Sequence, residues 1–143
     1  AGLDLIGLGM SAIGQVCDLY LQNHRLLEDW GAALDSGRLP IWRGYRLTQE
    51  DRIRRAVIRA LMCRGELDLR KLGERFDLDF RAHFTAELES LAPLAEDGLV
   101  EIEPERIRVT PLGRLLVRAI AMRFDAHLNQ ESGAGARRFS RVV

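Results

Sequence analysis

A chain of 143 residues is long enough for one domain, or for a small domain joined to a piece of another. Nearly half of the residues are apolar, which supports a packed core and excludes wholesale disorder. Acidic and basic side chains balance to a formal net charge of zero, so no global field draws the chain to nucleic acid or to an anionic membrane.

From the front, Leu3-Asp4-Leu5-Ile6-Gly7-Leu8-Gly9 reads as a short strand running into a glycine loop. Glycines there permit positive φ or close approach of the backbone to a ligand. Apolar residues on both faces of such a strand call for neighbours on both sides, so the front resembles the edge of a larger sheet or barrel. No Lys or Arg precedes Arg25, and Asp4 and four glycines interrupt the apolar start. That fits neither a signal peptide nor a membrane span. Val16 to Leu21 reads as a second short strand. His24 to Ser36 places Leu26, Leu27, Trp30, Ala33 and Leu34 on one helical face, with Gly37 as the C-terminal cap. Ile41 to Leu47, after Pro40, is extended.

Thr48 is a good N-cap, with Glu50 and Asp51 in the first turn of a helix that ends near Arg64. Ile53, Val57, Ala60 and Leu61 face inward, while Arg52, Arg55 and Arg59 share another face. That stripe is a solvated helix face or a contact with an acidic surface. Leu67 to Phe76 is a short helix. A longer one begins near Asp79 with a stripe of Phe80, Phe84, Leu88, Leu91 and Ala95, and Pro93 must kink or stop it. Val100 to Glu103 and Arg106 to Val109 alternate across a polar link, which is a hairpin. Thr110-Pro111 caps a last helix with Leu112, Leu116, Ile120, Phe124 and Leu128 in one row.

The fold class is therefore mainly α with a small β-hairpin. Helix, helix, helix, hairpin, helix from Thr48 is a winged-helix-like order, preceded by what reads as the end of an α/β barrel. The boundaries are 1–46 for the barrel end and connection, 47–128 for the winged-helix-like domain and 129–143 for a tail. The expected core is Ile53, Val57, Leu61, Leu72, Phe84, Leu88, Val100, Ile107, Leu116 and Ile120.

Cys17 and Cys63 stand alone, and a zinc site would need two further ligands, so buried free thiols in a reducing cytoplasm are expected. His24, His83 and His127 are equally isolated. A winged-helix order invites DNA binding, but the third helix carries Asp79, Glu87, Glu89, Glu96 and Asp97 against Arg81, and would repel phosphates. A free-standing winged-helix module that binds protein, or DNA, is the alternative reading.

Trp42-Arg43-Gly44, the Thr48 to Ile58 run, Gly7-Leu8-Gly9-Met10-Ser11-Ala12-Ile13, Tyr20-x-Gln22-Asn23 and the ending Phe139-Ser140-Arg141-Val142-Val143 together resemble the C-terminal part of one family. These are the oxygen-independent coproporphyrinogen III oxidases, or coproporphyrinogen dehydrogenases. The resemblance implies an incomplete barrel that binds a [4Fe-4S] cluster and S-adenosylmethionine (SAM), and that oxidatively decarboxylates coproporphyrinogen III to protoporphyrinogen IX in haem biosynthesis. The cluster-holding Cys-x-x-x-Cys-x-x-Cys run is absent here, so no cluster ligand is expected in this chain, which alone should be inactive. Its partners would be the upstream catalytic barrel of the same polypeptide and coproporphyrinogen III, with no nucleic acid and no membrane, in the cytoplasm.

The resemblance matches the glycine segment to the last barrel strand and the loop that closes on SAM. It makes Gly9, Ser11, Ala12 and Ile13 the cofactor-binding candidates. Ile13 is either an apolar contact to SAM or a core residue. Leu5, Ile6, Leu8 and Ile13 are expected to be only partly buried in this chain, because barrel neighbours are missing. In the tail, Arg138 and Arg141 flank Phe139, and Arg forks suit the four carboxylates of the macrocyclic substrate. They are the substrate-binding candidates. A solvated basic terminus is the other reading.

Overall fold

The computed structural model describes residues 3–131. Its contacts divide it into two units, residues 1–52 and 53–143. The described architecture is mixed, with helices and two small antiparallel sheets.

The first unit is built on a three-stranded sheet, β1 (Ile13–Val16), β2 (Leu19–Asn23) and β3 (Ile41–Arg46), in the order β1-β2-β3. The sheet is antiparallel throughout. The expected strand at Leu3 to Gly9 is not one. Only Leu5 pairs, with Gln15, through two 2.7 Å backbone bonds. The strand expected from Val16 to Leu21 is present from Leu19 as β2, but a turn at Cys17 and Asp18 separates it from Val16, because Cys17 takes a positive φ of 51° and Asp4 Oδ1 accepts its N–H at 2.8 Å. Helix α1 (Leu27–Asp35) starts three residues later than expected and buries Ala33, while Leu26, Leu27 and Leu34 of its apolar stripe are exposed.

Helix α2 (Gln49–Arg64) is capped as its sequence suggests. Thr48 Oγ1 accepts the Asp51 N–H at 3.1 Å, and Asp51 Oδ2 accepts the Thr48 N–H at 2.9 Å. Two otherwise orphaned donors are thereby satisfied reciprocally. The inward residues Ile53, Val57, Ala60 and Leu61 are all buried.

In the second unit, β4 (Glu66–Asp68) leads into α3 (Leu69–Phe76), followed by α4 (Phe80–His83) and α5 (Thr85–Glu96). The hairpin is β5 (Val100–Ile102) with β6 (Arg106–Val109). The sheet order is β4-β6-β5. The single long helix expected after Asp79 is two. Asp79 Oδ1 caps the first through the N–H groups of Arg81 and Ala82, and Phe84 breaks the run at φ −111°, ψ 32°. Pro93 does not stop α5, which continues to Glu96 with Leu91 fully buried.

After Thr110, whose Oγ1 accepts the Gly113 N–H at 3.0 Å, the last segment alternates between two geometries. It runs as a 3₁₀ turn at Gly113–Leu116, α6 (Val117–Ala121), a 3₁₀ turn at Met122–Phe124 and α7 (Ala126–Glu131). A 3₁₀ turn repeats every three residues rather than 3.6, so the expected apolar row loses phase. Leu112 and Leu116 are about half exposed, which removes Leu116 from the core. Gly113 faces inward in its place, and a Cβ there would collide with the Leu99 carbonyl oxygen. The rest of the expected core is buried, with Leu88 packed at its margin. Leu67, Phe80, Leu91, Leu99, Val109 and Phe124 complete it. Both cysteines are exposed, contrary to expectation: Cys17 sits in the β1–β2 turn and Cys63 on the outer face of α2.

Arg54 joins three parts of this core. Its guanidinium lies 2.7 Å from Glu87 and 3.0 Å from the Phe124 carbonyl, and stacks 5.2 Å from the Phe84 ring centroid. Only about 16% and 14% of the Arg54 and Glu87 side chains are exposed, whereas Arg52 and Asp18 pair at 3.1 Å with over 40% of each exposed. Arg54→Ala is expected to destabilise by about 2–3 kcal/mol, because Glu87 is left as a half-buried unpaired charge. Arg52→Ala should cost less than about 1 kcal/mol. Urea denaturation of the two variants tests this, and equal losses would refute it.

Asp68 caps α3, accepting the Lys71 N–H at 2.9 Å with Lys71 Nζ at 3.1 Å. The backbone bond, then the side-chain bond, hold its carboxyl below the usual aspartate range. A lowered folded pKa means that the carboxylate stabilises above its unfolded value, and that this contribution is lost as pH falls through the folded value. Asp68→Asn keeps an acceptor and titrates nothing. The stability difference between the chain and this variant should be constant at neutral pH and shrink below about pH 4. A difference that does not move down to pH 2 would contradict the assignment.

Candidate functional site

The segments that point outside the core converge within the first unit, around the turn from Gly7 to Ile13. Three features make this turn rigid. Gly7 packs so closely that a Cβ would stand 2.8 Å from the Ile13 carbonyl oxygen. Gly9 takes φ +94° and Ser11 φ +57°, conformations that side chains ordinarily disfavour. The Ser11 N–H then donates to the His24 carbonyl at 2.7 Å, which ties the turn to the end of β2.

The side chains behind the turn come from two of the other family-like segments. Asn23 Nδ2 donates to the Gly9 carbonyl at 2.8 Å and to the Gly7 carbonyl at 3.3 Å. Gln22 Nε2 reaches the Ser11 carbonyl at 3.5 Å, while its Oε1 accepts from Arg43 Nε at 2.9 Å. The Arg43 guanidinium lies 4.6 Å from the Trp42 ring centroid. At this point the ladder between β2 and β3 shifts register, pairing Gln22 with Arg43 and Asn23 with Ile41, and so skipping Trp42. A bulge of this kind re-aims a side chain, and Trp42 is left about half exposed.

The turn thus turns its polar backbone inward and its apolar side chains outward. Leu8 is 87% exposed, Met10 51% and Ile13 59%. Nothing stands within 4 Å of where a Cβ of Gly9 would be, so its backbone has an open face. Of the four cofactor candidates, Ile13 opens β1 with its side chain exposed, Ser11 is exposed, and Gly9 and Ala12 are half-buried; all four lie on one turn. Ile13 is not a core residue in this chain. The front residues Leu5 and Ile6 are also exposed, beyond the partial burial expected of them. Arg138 and Arg141 lie outside the described residues.

Among the described residues no group of three or more His, Cys, Asp or Glu side chains could hold a metal ion. The donor set therefore does not fit an iron–sulfur cluster, and no chemistry is routed through one here. An open glycine backbone beside an exposed isoleucine offers an apolar wall and close backbone approach to a ligand. No helix of the described residues is long and apolar enough to cross a membrane.

Comparison with known proteins bears on this arrangement. Residues 47–116 match the HemN C-terminal domain family. The chain as a whole is 44% identical, over 98% of its length, to the oxygen-independent coproporphyrinogen III oxidases of Escherichia coli and Pseudomonas aeruginosa. It is 42% identical over 96% of its length to that of Helicobacter pylori. It spans only about 30% of the length of those relatives. The solved structure of coproporphyrinogen III oxidase (HemN) from Escherichia coli, a radical SAM enzyme, superposes with a TM-score of 0.83 at 44% identity, covering 87% of this chain and 29% of that one. The HemN C-terminal domain match begins after the glycine turn, at Leu47, so the turn lies outside it.

Proposed function

We propose that this chain is the C-terminal part of a radical-SAM enzyme that oxidatively decarboxylates coproporphyrinogen III to protoporphyrinogen IX in haem biosynthesis. The observation that carries the reading is identity of 44% sustained over 98% of the chain with oxidases of that activity, glycine turn included. The domain limits are 1–46, 47–128 and 129–143. The middle part is winged-helix-like: helix, short strand, helices and hairpin follow one another, and the first strand pairs with the last. This part caps the barrel and helps to shape the substrate cavity, with the barrel supplied by the same polypeptide.

SAM, cleaved at a [4Fe-4S] cluster held elsewhere in the enzyme, supplies the radical chemistry. The residues here bind and orient. Ile13 forms the apolar wall beside the adenosyl group, and Gly9, Ser11 and Ala12 bring the backbone close to it. Arg138 and Arg141 are the candidates to bind propionate carboxylates of the substrate.

Anaerobic assay of the full-length protein, with cluster, reductant, SAM and coproporphyrinogen III, should show SAM-dependent formation of protoporphyrinogen IX. Ile13→Ala should weaken SAM binding about tenfold, the worth of one buried aliphatic contact. A loaded enzyme that leaves the porphyrinogen unchanged would sink the proposal. In the same assay, removal of Phe139 to Val143 should raise the KM for the porphyrinogen and leave SAM cleavage intact. An unchanged KM would take the tail out of substrate binding.

A further inference from the structure

Asn23 is placed where one side chain controls the glycine turn. Two carbonyl oxygens, those of Gly7 and Gly9, converge on it at 3.3 and 2.8 Å. An amide nitrogen, with two N–H groups, satisfies both at once without adding a charge. The main chain of the same residue holds the far end of the turn, its N–H donating to the Ala12 carbonyl at 2.9 Å. Gly7, Gly9 and Ala12 are thus all fixed by one residue sixteen, fourteen and eleven positions away in sequence. The turn they fix leaves Leu8, Met10 and Ile13 exposed. Hydrogen bonds that hold a strained backbone while its apolar side chains face outward build a surface for something else.

We infer that Asn23 is a positioning residue for SAM, holding the Gly7–Gly9 backbone so that the open face of Gly9 and the side chain of Ile13 meet the cofactor in a fixed geometry. It acts through the turn and touches no cofactor atom. The inference rests on the reading that this turn binds SAM. Gln22 supports the same turn more weakly, from Arg43 through to the Ser11 carbonyl.

The test uses the full-length enzyme and three variants: Asn23→Asp, Asn23→Ala and, for the underlying reading, Ile13→Ala. Asn23→Asp keeps the shape but sets a carboxylate against two carbonyls, and Asn23→Ala removes the donors without adding charge. For each, SAM affinity is measured by equilibrium dialysis, amide exchange over residues 5–15 without SAM, iron content, and the KM for the porphyrinogen. Both Asn23 variants should raise the Kd for SAM about tenfold or more, as expected for two lost hydrogen bonds. They should speed exchange of the Ser11 and Gln15 amides and leave iron content and the porphyrinogen KM unchanged. If Ile13→Ala weakens SAM binding and the Asn23 variants do not, the inference fails while the binding reading stands. Faster exchange with unaltered SAM affinity also overturns it, leaving Asn23 a structural residue only. If Ile13→Ala has no effect either, the turn is not the SAM wall and both fall together. Should Asn23→Asp fail to fold, Asn23→Ala is judged by the same outcomes.

Discussion

The second unit depends on a guanidinium at the edge of its core. Arg54 cannot lose its charge, and at about 16% exposure it must find partners within the fold. It finds Glu87 on α5, the carbonyl of Phe124 at the end of a 3₁₀ turn, and the face of Phe84. Each partner belongs to a different element, so α2, α5 and the final segment are set with respect to one another by a single side chain. Phe84 beneath it is fully buried between Phe80 at 4.6 Å and Phe124 at 5.5 Å. The apolar core supplies the driving force there. The ion pair supplies direction, because hydrogen bonds to a planar guanidinium tolerate little rotation.

That constraint explains why the end of the domain departs from a plain helix. With Phe124 held by Arg54 and Gly113 pressed against the Leu99 carbonyl, the residues between must fit a fixed span. Two 3₁₀ turns absorb the mismatch. The i, i+4 row of Leu112, Leu116, Ile120 and Phe124 suggests a continuous helix, and half of that row is indeed buried. Nothing in local sequence announces that Gly113 faces the core, since the reason is a backbone 14 residues upstream. The same limit hid β4. Glu66-Leu67-Asp68 is too short to show alternation and is a strand only because β6 pairs with it. Caps and hairpin were legible because their signals are local: Thr48 and Asp51 bond each other, and β5 and β6 alternate on either side of Pro104.

The site divides in the same way. Glycine spacing and the apolar residues around it mark the turn in sequence, whereas a ligand role for Ile13 came from the family resemblance alone; its side chain is exposed rather than in the core. Asn23, Gln22 and Arg43 carry no such mark. Their bonds run from side chain to backbone, or to each other, across 11 to 21 residues, and no periodicity records them. The family-like segments looked separate along the chain because the sheet that joins them is formed by pairing β1 with β2 and β2 with β3. Once folded, three of them become one network from Trp42 to Gly7.

Charge decides what the helix-and-hairpin unit can offer a partner. A winged-helix-like order by itself would suit phosphate contacts from the hairpin and third helix. Yet the cations near the hairpin are already committed. Arg108 lies between Glu66, Glu101 and Glu103 at 3.7 Å each, and Arg106 lies 3.5 Å from Glu66. Arg81 gives three bonds to the carbonyls of Glu103 and Pro104, holding the hairpin tip. Binding a phosphate backbone would require these arginines to leave acceptors that the fold uses, so the counterion release that drives nucleic-acid binding would be offset by broken internal pairs. The arginines here stabilise the hairpin rather than advertise it. The outward-facing chemistry of the chain is instead apolar and lies on the glycine turn, where Leu8, Met10 and Ile13 are presented on a backbone that its own hydrogen bonds have already ordered. A ligand that covers them meets a backbone already held in place, so the ordering cost that remains lies in the side-chain rotamers.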